Sequence, residues 1–142
     1  PTAICRFYNV YGEHQLEDGA YATVLGIFER QYREGKSLTV TSNGEQRRDF
    51  THIDDIVDGL VRCGLSLLTD SKVANGQAYE LGRGKNYSIN EITEMFGKTE
   101  VEYIPARKGE YPFTLADYTK ANEELGWTPT LDIKNYISKI IK

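Results

Sequence analysis

The stretch AICRFYNV, from Ala3 to Val10, decides the fold class because it is a predominantly apolar run that ends at a Tyr11-Gly12 turn. Runs of this kind are typical of strands that are buried on both faces of a parallel sheet. Such a strand needs neighbouring strands and covering helices. Because the chain enters it almost directly after Pro1, we expect the chain to be a piece of something larger.

The composition indicates one ordinary domain: the chain has 142 residues, and 39% of them are apolar, which suffices for a core. The net charge is -4 and the charged residues are spread along the chain, which argues against a nucleic-acid or membrane-surface partner. No apolar stretch approaches the roughly 20 residues of a membrane span, and we expect no leader. Cys5 and Cys63 lack metal-ligand spacing, so we expect small buried hydrophobes in a reducing cytoplasm.

Helical and extended patterns alternate along the rest of the chain, which predicts an α/β or α+β class. Asp54 and Asp55 suit the first turn of the strongest helical pattern, and Ser88 with Glu91 forms a capping box. The expected helices cover residues 24–35, 53–65, 88–97, 117–126 and 132–141, and the expected further strands cover 38–41, 47–52, 78–81 and 101–104.

Two motifs resemble parts of a dinucleotide-dependent enzyme and are rejected. Gly82 and Gly84 follow a strand, but Tyr87 stands where the third glycine of a dinucleotide fingerprint would allow close packing. Tyr32 and Lys36 have the spacing of a catalytic Tyr-x-x-x-Lys pair, but Gly35 ends the helix between them. We therefore expect neither motif to function.

The sequence predicts no metal site. His14 and His52 are isolated, so a structural or solvated role is favoured for both. Stabilisation of a helix start explains two of the three nearby acids, Asp54, Asp55 and Asp58, without a metal ion.

Two arginine-containing segments and one asparagine remain as candidates for anion binding. Arg48 lies in the run RRDF, Arg107 follows a second expected strand end, and Asn9 ends the first strand. Arginine is suited to planar, bidentate binding of phosphate. Taken alone, a surface ion pair of Arg47 or Arg48 with Asp49 or Glu45 would be the simpler explanation.

Together these segments resemble the extended short-chain dehydrogenase/reductases that act on nucleoside-diphosphate sugars, and UDP-glucose 4-epimerase and its relatives in particular. The resemblance rests on five motifs that occur in the family's order and spacing across nearly the whole chain. They are RFYNVYG at 6–12, RRDFTHIDD at 47–55, YELGRG at 79–84, ARKGEY at 106–111 and TLADYTKANEELGWTPT at 114–130.

The resemblance implies a role for each matching residue. Asn9, Arg48 and Arg107 would bind the diphosphate, and the backbone of Tyr8 would lie near the nicotinamide end of the cofactor. Glu110 stands where the family usually has an aspartate that binds the ribose. The remaining implied substrate-binding residues are Thr23 and Val24 at a helix start, and Thr39, Val40 and Thr41 on the strand that contacts the base through its backbone.

The resemblance also implies an α/β, Rossmann-type fold in which 1–142 is the carboxy-terminal, substrate-binding portion. Strands 3–10 and 78–81 would belong to a cofactor sheet whose NAD-binding domain is not in this chain, and we expect 3–10 to pair with 79–81 or with another copy. No catalytic residue is assigned here, since the Tyr-x-x-x-Lys set and the NAD site would precede this portion.

The implied function is therefore that of a nucleoside-diphosphate-sugar-binding portion of an NAD-dependent epimerase, inactive alone. A 4,6-dehydratase or decarboxylase portion is the alternative within the enzyme class. A non-catalytic anion-binding or assembly module is the alternative outside it. We expect a cytoplasmic homodimer or larger assembly.

Overall fold

The computed structural model describes residues 1–69, 73–97, 99–106 and 109–142. In these ranges helices and short strands alternate, which confirms the predicted mixture of elements. The strands are β1 (Ile4–Phe7), β2 (Val10–Tyr11), β3 (Leu38–Thr41), β4 (Arg47–Asp49), β5 (Thr51–His52), β6 (Ala78–Leu81), β7 (Asn86–Ser88) and β8 (Val101–Ile104). The helices are α1 (Val24–Arg33), α2 (Ile53–Leu68), α3 (Ile89–Met95), α4 (Thr119–Leu125) and α5 (Ile133–Ile140).

The strands associate in pairs. β1 pairs with β6, β2 with β5 and β3 with β8, all in parallel, whereas β4 pairs with β7 in antiparallel orientation. The expected pairing of the first strand with 79–81 is confirmed, since Cys5 lies opposite Tyr79 and Phe7 opposite Leu81.

The predicted strand 3–10 is interrupted at Tyr8-Asn9, where the chain leaves β6 and joins β5 instead. The predicted strand 47–52 is likewise divided at Phe50, a buried residue, where the chain leaves β7 and joins β2. These two breaks bring the end of β1 next to the end of β4, and Thr51 N donates to Asn9 O at 3.2 Å.

Two hydrophobic clusters hold the elements together. The larger one lies among α1, α3, α5 and β3 and includes Phe28, Val40 and Phe96. The smaller one lies between α2, α4 and the β1–β6 pair, and Trp127 is fully buried there. Cys63 is buried in this second cluster and the half-buried Cys5 packs against it, and both thiols are free, as the sequence predicts.

Helix starts follow local sequence signals in most cases. The Ser88–Glu91 capping box is formed, and Asp132 caps α5 through Lys134 N. His52 is the N-cap of α2, because its Nδ1 accepts from Asp54 N at 3.1 Å, which confirms a structural role for this histidine. Helix α4 begins one residue later than predicted: its N-cap is Tyr118, although Asp117 Oδ1 still accepts from Thr119 N.

One face of α2 is apolar and exposed. Val57 is 48% exposed, Val61 52% and Leu65 58%, and in β1 the residues Ile4 and Phe7 are 58% and 49% exposed. The helical periodicity of these residues is confirmed, but the described part of the chain does not cover them. We call this surface, together with the open edge of β1, the α2–β1 face.

Candidate functional site

A cleft of about 270 Å³ lies between the start of α1, the edge of β3 and strand β4. Part of its wall is apolar and is formed by Ile27, Phe50, Ile89 and Ile104. The other part is polar and brings together residues that are far apart in the sequence. These polar residues include Asn9, Thr23, Thr39, Thr41, Arg48 and Glu110.

Arg48 and Arg47 are separated by the alternation of side chains along β4. Arg47 turns away from the cleft, where its guanidinium group bonds Asn86 and Glu91. Arg48 lines the cleft with a side chain that is 13% exposed, and its Nη1 donates to Arg47 O at 2.8 Å. The surface ion pairs that offered a simpler explanation for Arg48 are not formed, since its ionic contact is to Glu110.

Glu110 faces Arg48 across the cleft at 3.7 Å from Nη2 to Oε1. The same carboxylate oxygen accepts from Thr41 Oγ1 at 3.2 Å and from Gln46 Nε2 at 3.5 Å. A contact of 3.7 Å is longer than the 2.7–2.9 Å of a charge-assisted hydrogen bond. With respect to the residues that the structure describes, Arg48 therefore keeps donors that an anion in the cleft could use.

Asn9 reaches the cleft from the break between β1 and β2. Its Oδ1 accepts from Thr114 Oγ1 at 2.9 Å, while its backbone oxygen is held by Thr51 N. Because the side-chain oxygen is engaged by a hydroxyl donor, the amide presents its NH₂ group on the other side.

Thr23 and Val24 lie where α1 begins at the cleft. Thr23 is the N-cap, and its Oγ1 accepts from Gly26 N at 3.0 Å and donates to Gln15 Oε1 at 2.8 Å. A Cβ at Gly26 would stand 2.3 Å from Leu16 O, so only glycine lets the preceding loop pack this closely against the helix. Thr23 and Val24 line the cleft, so the positive end of the helix dipole lies beside it.

Strand β3 presents alternate residues to the cleft. Thr39 and Thr41 line it, whereas the side chain of Val40 is fully buried in the core. Leu38 N donates to Glu100 O, just before β8, and Ser42 N donates to Ile104 O, so in this parallel ladder the backbone of Val40 also faces β8. Val40 thus lies outside the cleft, and the open edge of β3 belongs to Thr39 and Thr41.

Comparison with known proteins assigns the chain to a protein family. Residues 1–140 match the family model described as GDP-mannose 4,6 dehydratase. The chain belongs to this family. It is also confirmed as a carboxy-terminal part of an extended short-chain dehydrogenase/reductase, with the expected α/β fold.

Several of the proteins to which the chain is similar are sugar epimerases. A UDP-glucose 4-epimerase of Mycolicibacterium smegmatis is 32% identical over 94% of this chain and 42% of its own length. The solved structure of Pal from Bacillus thuringiensis has a TM-score of 0.89 at 27% identity, and the match covers 99% of this chain and 44% of that one. A UDP-glucuronic acid 4-epimerase of Bacillus cereus, solved with UDP-glucuronic acid and NAD, has a TM-score of 0.81 at 30% identity, covering 96% and 42%. This chain therefore spans less than half the length of these relatives.

Tyr8, the residue expected near the family's cofactor, lies apart from the cleft. Burial raises the pKa of its phenol, and a hydrogen bond to Glu80 raises it further. Its ring packs beside Gly82, where an added Cβ would meet Tyr8 Cδ2 at 3.2 Å and Ala116 Cβ at 2.3 Å. The backbone contact that the resemblance implies for Tyr8 stays a prediction.

The glycine turn after β6, residues 82–84, binds a carboxylate of the protein itself. Arg83 N and Gly84 N donate to the carboxylate of Asp49 at 2.8 and 2.9 Å, and Ala116 N donates to it at 3.0 Å. Asp49 is completely buried, so an internal carboxylate occupies the amides that would otherwise bind a dinucleotide phosphate. The residues of this turn do not fit NAD, which agrees with the rejection of the motif.

Tyr32 and Lys36 also form no catalytic pair in the described structure. Helix α1 ends at Arg33, and Gly35 takes a left-handed conformation with a φ of 65°. Lys36 pairs with Glu34 at 2.8 Å, whereas the Tyr32 hydroxyl donates to Ile141 O at 3.5 Å. Each of the two side chains therefore bonds to a different partner, and they do not act as a pair.

Most, but not all, of the residues predicted to bind substrate or cofactor lie in the cleft. The cleft brings together Asn9, Thr23, Val24, Thr39, Thr41, Arg48 and Glu110, and it excludes Val40 and Tyr8. Arg107 lies outside the described residues. Sequence reasoning missed Gln46 and Thr114, although Gln46 stands two residues before Arg48 and so faces the same side of the strand.

Asp55 has a structural role that the helix-start explanation did not include. Its carboxylate accepts from Thr130 N and Leu131 N, each at 3.0 Å, and thereby fixes the segment before α5. Among the described residues, no three His, Cys, Asp or Glu side chains are grouped as metal ligands would be. None of the helices in the described ranges is long and apolar enough to cross a membrane.

Proposed function

We propose that the chain is the nucleoside-diphosphate-sugar-binding portion of an NAD-dependent sugar epimerase similar to UDP-glucose 4-epimerase. The observation that carries this proposal is the convergence of Arg48, the Asn9 amide and the start of α1 on one cleft. A guanidinium group, an amide NH₂ and a helix N-terminus are three kinds of donor that suit a diphosphate. Several relatives are epimerases, and one was solved with a UDP-sugar and NAD.

The two kinds of wall in the cleft suit the two ends of a nucleotide. The apolar wall of Ile27, Ile89 and Ile104 fits a flat base. On the edge of β3, Gln31 Oε1 accepts from Thr39 N and Gln46 Nε2 donates to Thr41 O, so within the described part of the chain Thr39 O and Thr41 N are the backbone groups left for the base. Glu110, tied to Thr41 and Gln46, lies between this end and Arg48, where a carboxylate could accept from ribose hydroxyls.

The chain is expected to bind without catalysing a reaction. Oxidation of a sugar hydroxyl needs a general base and a hydride acceptor. The Asp49 carboxylate occupies the glycine turn, and Tyr32 and Lys36 are separated, so neither is supplied by those motifs. In this proposal NAD is held by a different part of a full-length protein. That part would also decide between epimerase, 4,6-dehydratase and decarboxylase chemistry.

The whole of 1–142 would then be one substrate-binding portion, and the α2–β1 face would cover an NAD-binding unit. A parallel strand with one open edge and exposed apolar residues beside it normally lies inside a larger sheet. The two free cysteines, Cys5 and Cys63, suit a cytoplasmic location.

A second candidate, a non-catalytic assembly module, is favoured by the same α2–β1 face. If two or more copies bury it, the chain should self-associate as a homodimer or larger assembly. Sedimentation of the wild-type chain and of Val61→Lys separates these outcomes: assembly through α2 predicts concentration-dependent mass that the substitution abolishes.

Calorimetric titration with UDP and UDP-glucose tests the main proposal. We expect saturable binding that Arg48→Ala and Arg107→Ala weaken, whereas Arg62→Ala does not. Arg62 is a matched control because it pairs with Asp58 on α2, outside the cleft. A wild-type chain that self-associates but binds neither compound would instead support the assembly module.

A further inference from the structure

The hydroxyl group of Thr114 connects the candidate ligand site to the buried part of β4. Its Oγ1 accepts from Asp49 N at 3.1 Å and lies 2.9 Å from Asn9 Oδ1. Thr114 is remote from Asn9 in the sequence and does not line the cleft. Among the described cleft residues, Asn9 is the hydrogen-bond partner of its side chain.

Counting donors fixes the direction of the second hydrogen bond. A threonine hydroxyl has one proton and two lone pairs. The backbone N–H of Asp49 can only donate, so it takes one lone pair of Thr114 Oγ1. Asn9 Oδ1, which lies 2.9 Å from the hydroxyl, can only accept, so the hydroxyl proton of Thr114 is donated to it.

The orientation of the Asn9 amide follows from this bond. With Oδ1 engaged, Nδ2 faces away from Thr114, and within the described ranges of the chain it has no hydrogen-bond partner. Asn9 lines the cleft that also contains Arg48. An amide turned the other way would present an oxygen atom, which repels an anionic ligand.

Thr114 is itself held in place through its backbone. Its N–H donates to Arg47 O at 3.0 Å, and its carbonyl oxygen accepts from Asn86 Nδ2 at 3.1 Å. The hydroxyl thus belongs to a segment fixed against β4, the strand that also carries Arg48. The arrangement exists before any ligand is present, which reduces the entropic cost of binding.

We propose that Thr114 is a positioning residue, which orients the Asn9 amide so that its NH₂ group donates to the diphosphate of a nucleotide. This inference rests on the proposed function and adds a residue to it. The role requires a hydroxyl group at position 114, so serine should replace threonine and valine should not.

The test is a nuclear magnetic resonance titration of the full chain with UDP and, separately, with uridine. The side-chain NH₂ signals of Asn9 report its orientation directly. In wild type and Thr114→Ser, UDP should shift these signals. In Thr114→Val the shift should be lost and UDP affinity should fall about tenfold, the loss of one hydrogen bond to a charged group. Affinity for uridine, which has no phosphate, should stay the same.

Thr128→Val is the matched control. Thr128 Oγ1 accepts from Asn122 Nδ2 at 2.8 Å, so this substitution also removes a Thr–Asn contact, but one outside the cleft. It should leave UDP affinity unchanged.

The outcomes separate the two proposals. If wild type binds UDP and Thr114→Val binds it equally well, the role of Thr114 is wrong and the proposed function stands. If wild type binds no UDP, both are wrong. If Thr114→Val does not fold, the wild-type titration decides: Asn9 NH₂ signals that ignore UDP while Arg48 responds would overturn the inference.

Discussion

Arg47 and Arg48 are consecutive residues of β4, yet their guanidinium groups lie on opposite sides of the strand. Arg47 Nε donates to Asn86 Oδ1 at 2.9 Å and its Nη2 pairs with Glu91, whereas Arg48 faces Glu110 across the cleft. One arginine fastens β4 to β7 and α3, and the other is available to a ligand.

This division predicts opposite effects for two neighbouring substitutions. Arg47→Gln should lower the free energy of unfolding by about 1–2 kcal/mol, because it removes charge-assisted bonds to a partly exposed site, and should change UDP affinity little. Arg48→Gln should weaken UDP binding at least tenfold with a smaller effect on stability. Urea denaturation and calorimetry of the two variants measure both quantities. Equal losses of UDP affinity would contradict the assignment.

Asp49 is expected to be among the most sensitive positions of the chain. Its buried carboxylate accepts from three backbone N–H groups, and Asp49→Asn would turn an NH₂ group towards at least one of these donors. Leaving buried donors unsatisfied should cost about 2–4 kcal/mol of the free energy of unfolding. Urea denaturation measures this loss. The exposed Asp58→Asn is the control, and similar losses in the two variants would exclude the special role of Asp49.

Two glycines within helices should respond to alanine in opposite ways. A Cβ at Gly26 would clash with Leu16 O at 2.3 Å, whereas at Gly64 in α2 no atom lies within 4 Å. Gly64→Ala should therefore stabilise the protein by about 0.5–1 kcal/mol through helix propensity. Gly26→Ala should destabilise it and displace the loop before α1. Thermal unfolding distinguishes the two, and a stabilised Gly26→Ala would refute the close approach of Leu16.

Glu29 should make stability depend on pH. Burial raises the pKa of its carboxyl group, although hydrogen bonds from Tyr136 and Gln15 oppose the shift. The folded protein thus holds this proton more tightly than the unfolded chain, so stability falls as pH rises from the unfolded to the folded pKa. The penalty is fully present once the pH exceeds the folded-state pKa.

Glu29→Gln removes this penalty and keeps an oxygen that accepts from Gln15. We expect the variant to have the higher Tm at pH 7 and a Tm close to wild type near pH 3, where the carboxyl is protonated in both states because this pH lies below the ordinary glutamate pKa of about 4.3. Thermal unfolding across this range gives the result. A variant that melts below wild type at pH 7 would show that the ionised carboxylate stabilises the fold.

Features set by neighbouring residues could be predicted from the sequence. The Ser88–Glu91 capping box and the helical period of α2 depend on residues within a few positions of each other, and both are present. Arg48 and Asn9 were candidates for anion binding from their residue types and positions, Glu110 was named through a resemblance, and the structure brings all three to one cleft.

Features set by distant partners could not be predicted in this way. The donors to Asp49 come from Arg83, Gly84 and Ala116, and the pattern RRDF contains no sign of them. Asp55 is comparable, because its partners lie more than 70 positions later. Periodicity also shows that one face of α2 is apolar, but it does not indicate what covers that face.

The pairing of β1 with β6 joins Ile4 to Ala78, about half the chain away. Such a pair can form only after a long loop has closed, and loop closure costs entropy before any contact repays it. Local units such as α2 should therefore fold early, and the first strand should be the last to dock. During that interval Tyr79 and Leu81 lack their β1 partners. Chaperones and proteases should therefore act on the newly synthesised protein first at the unpaired strand β6.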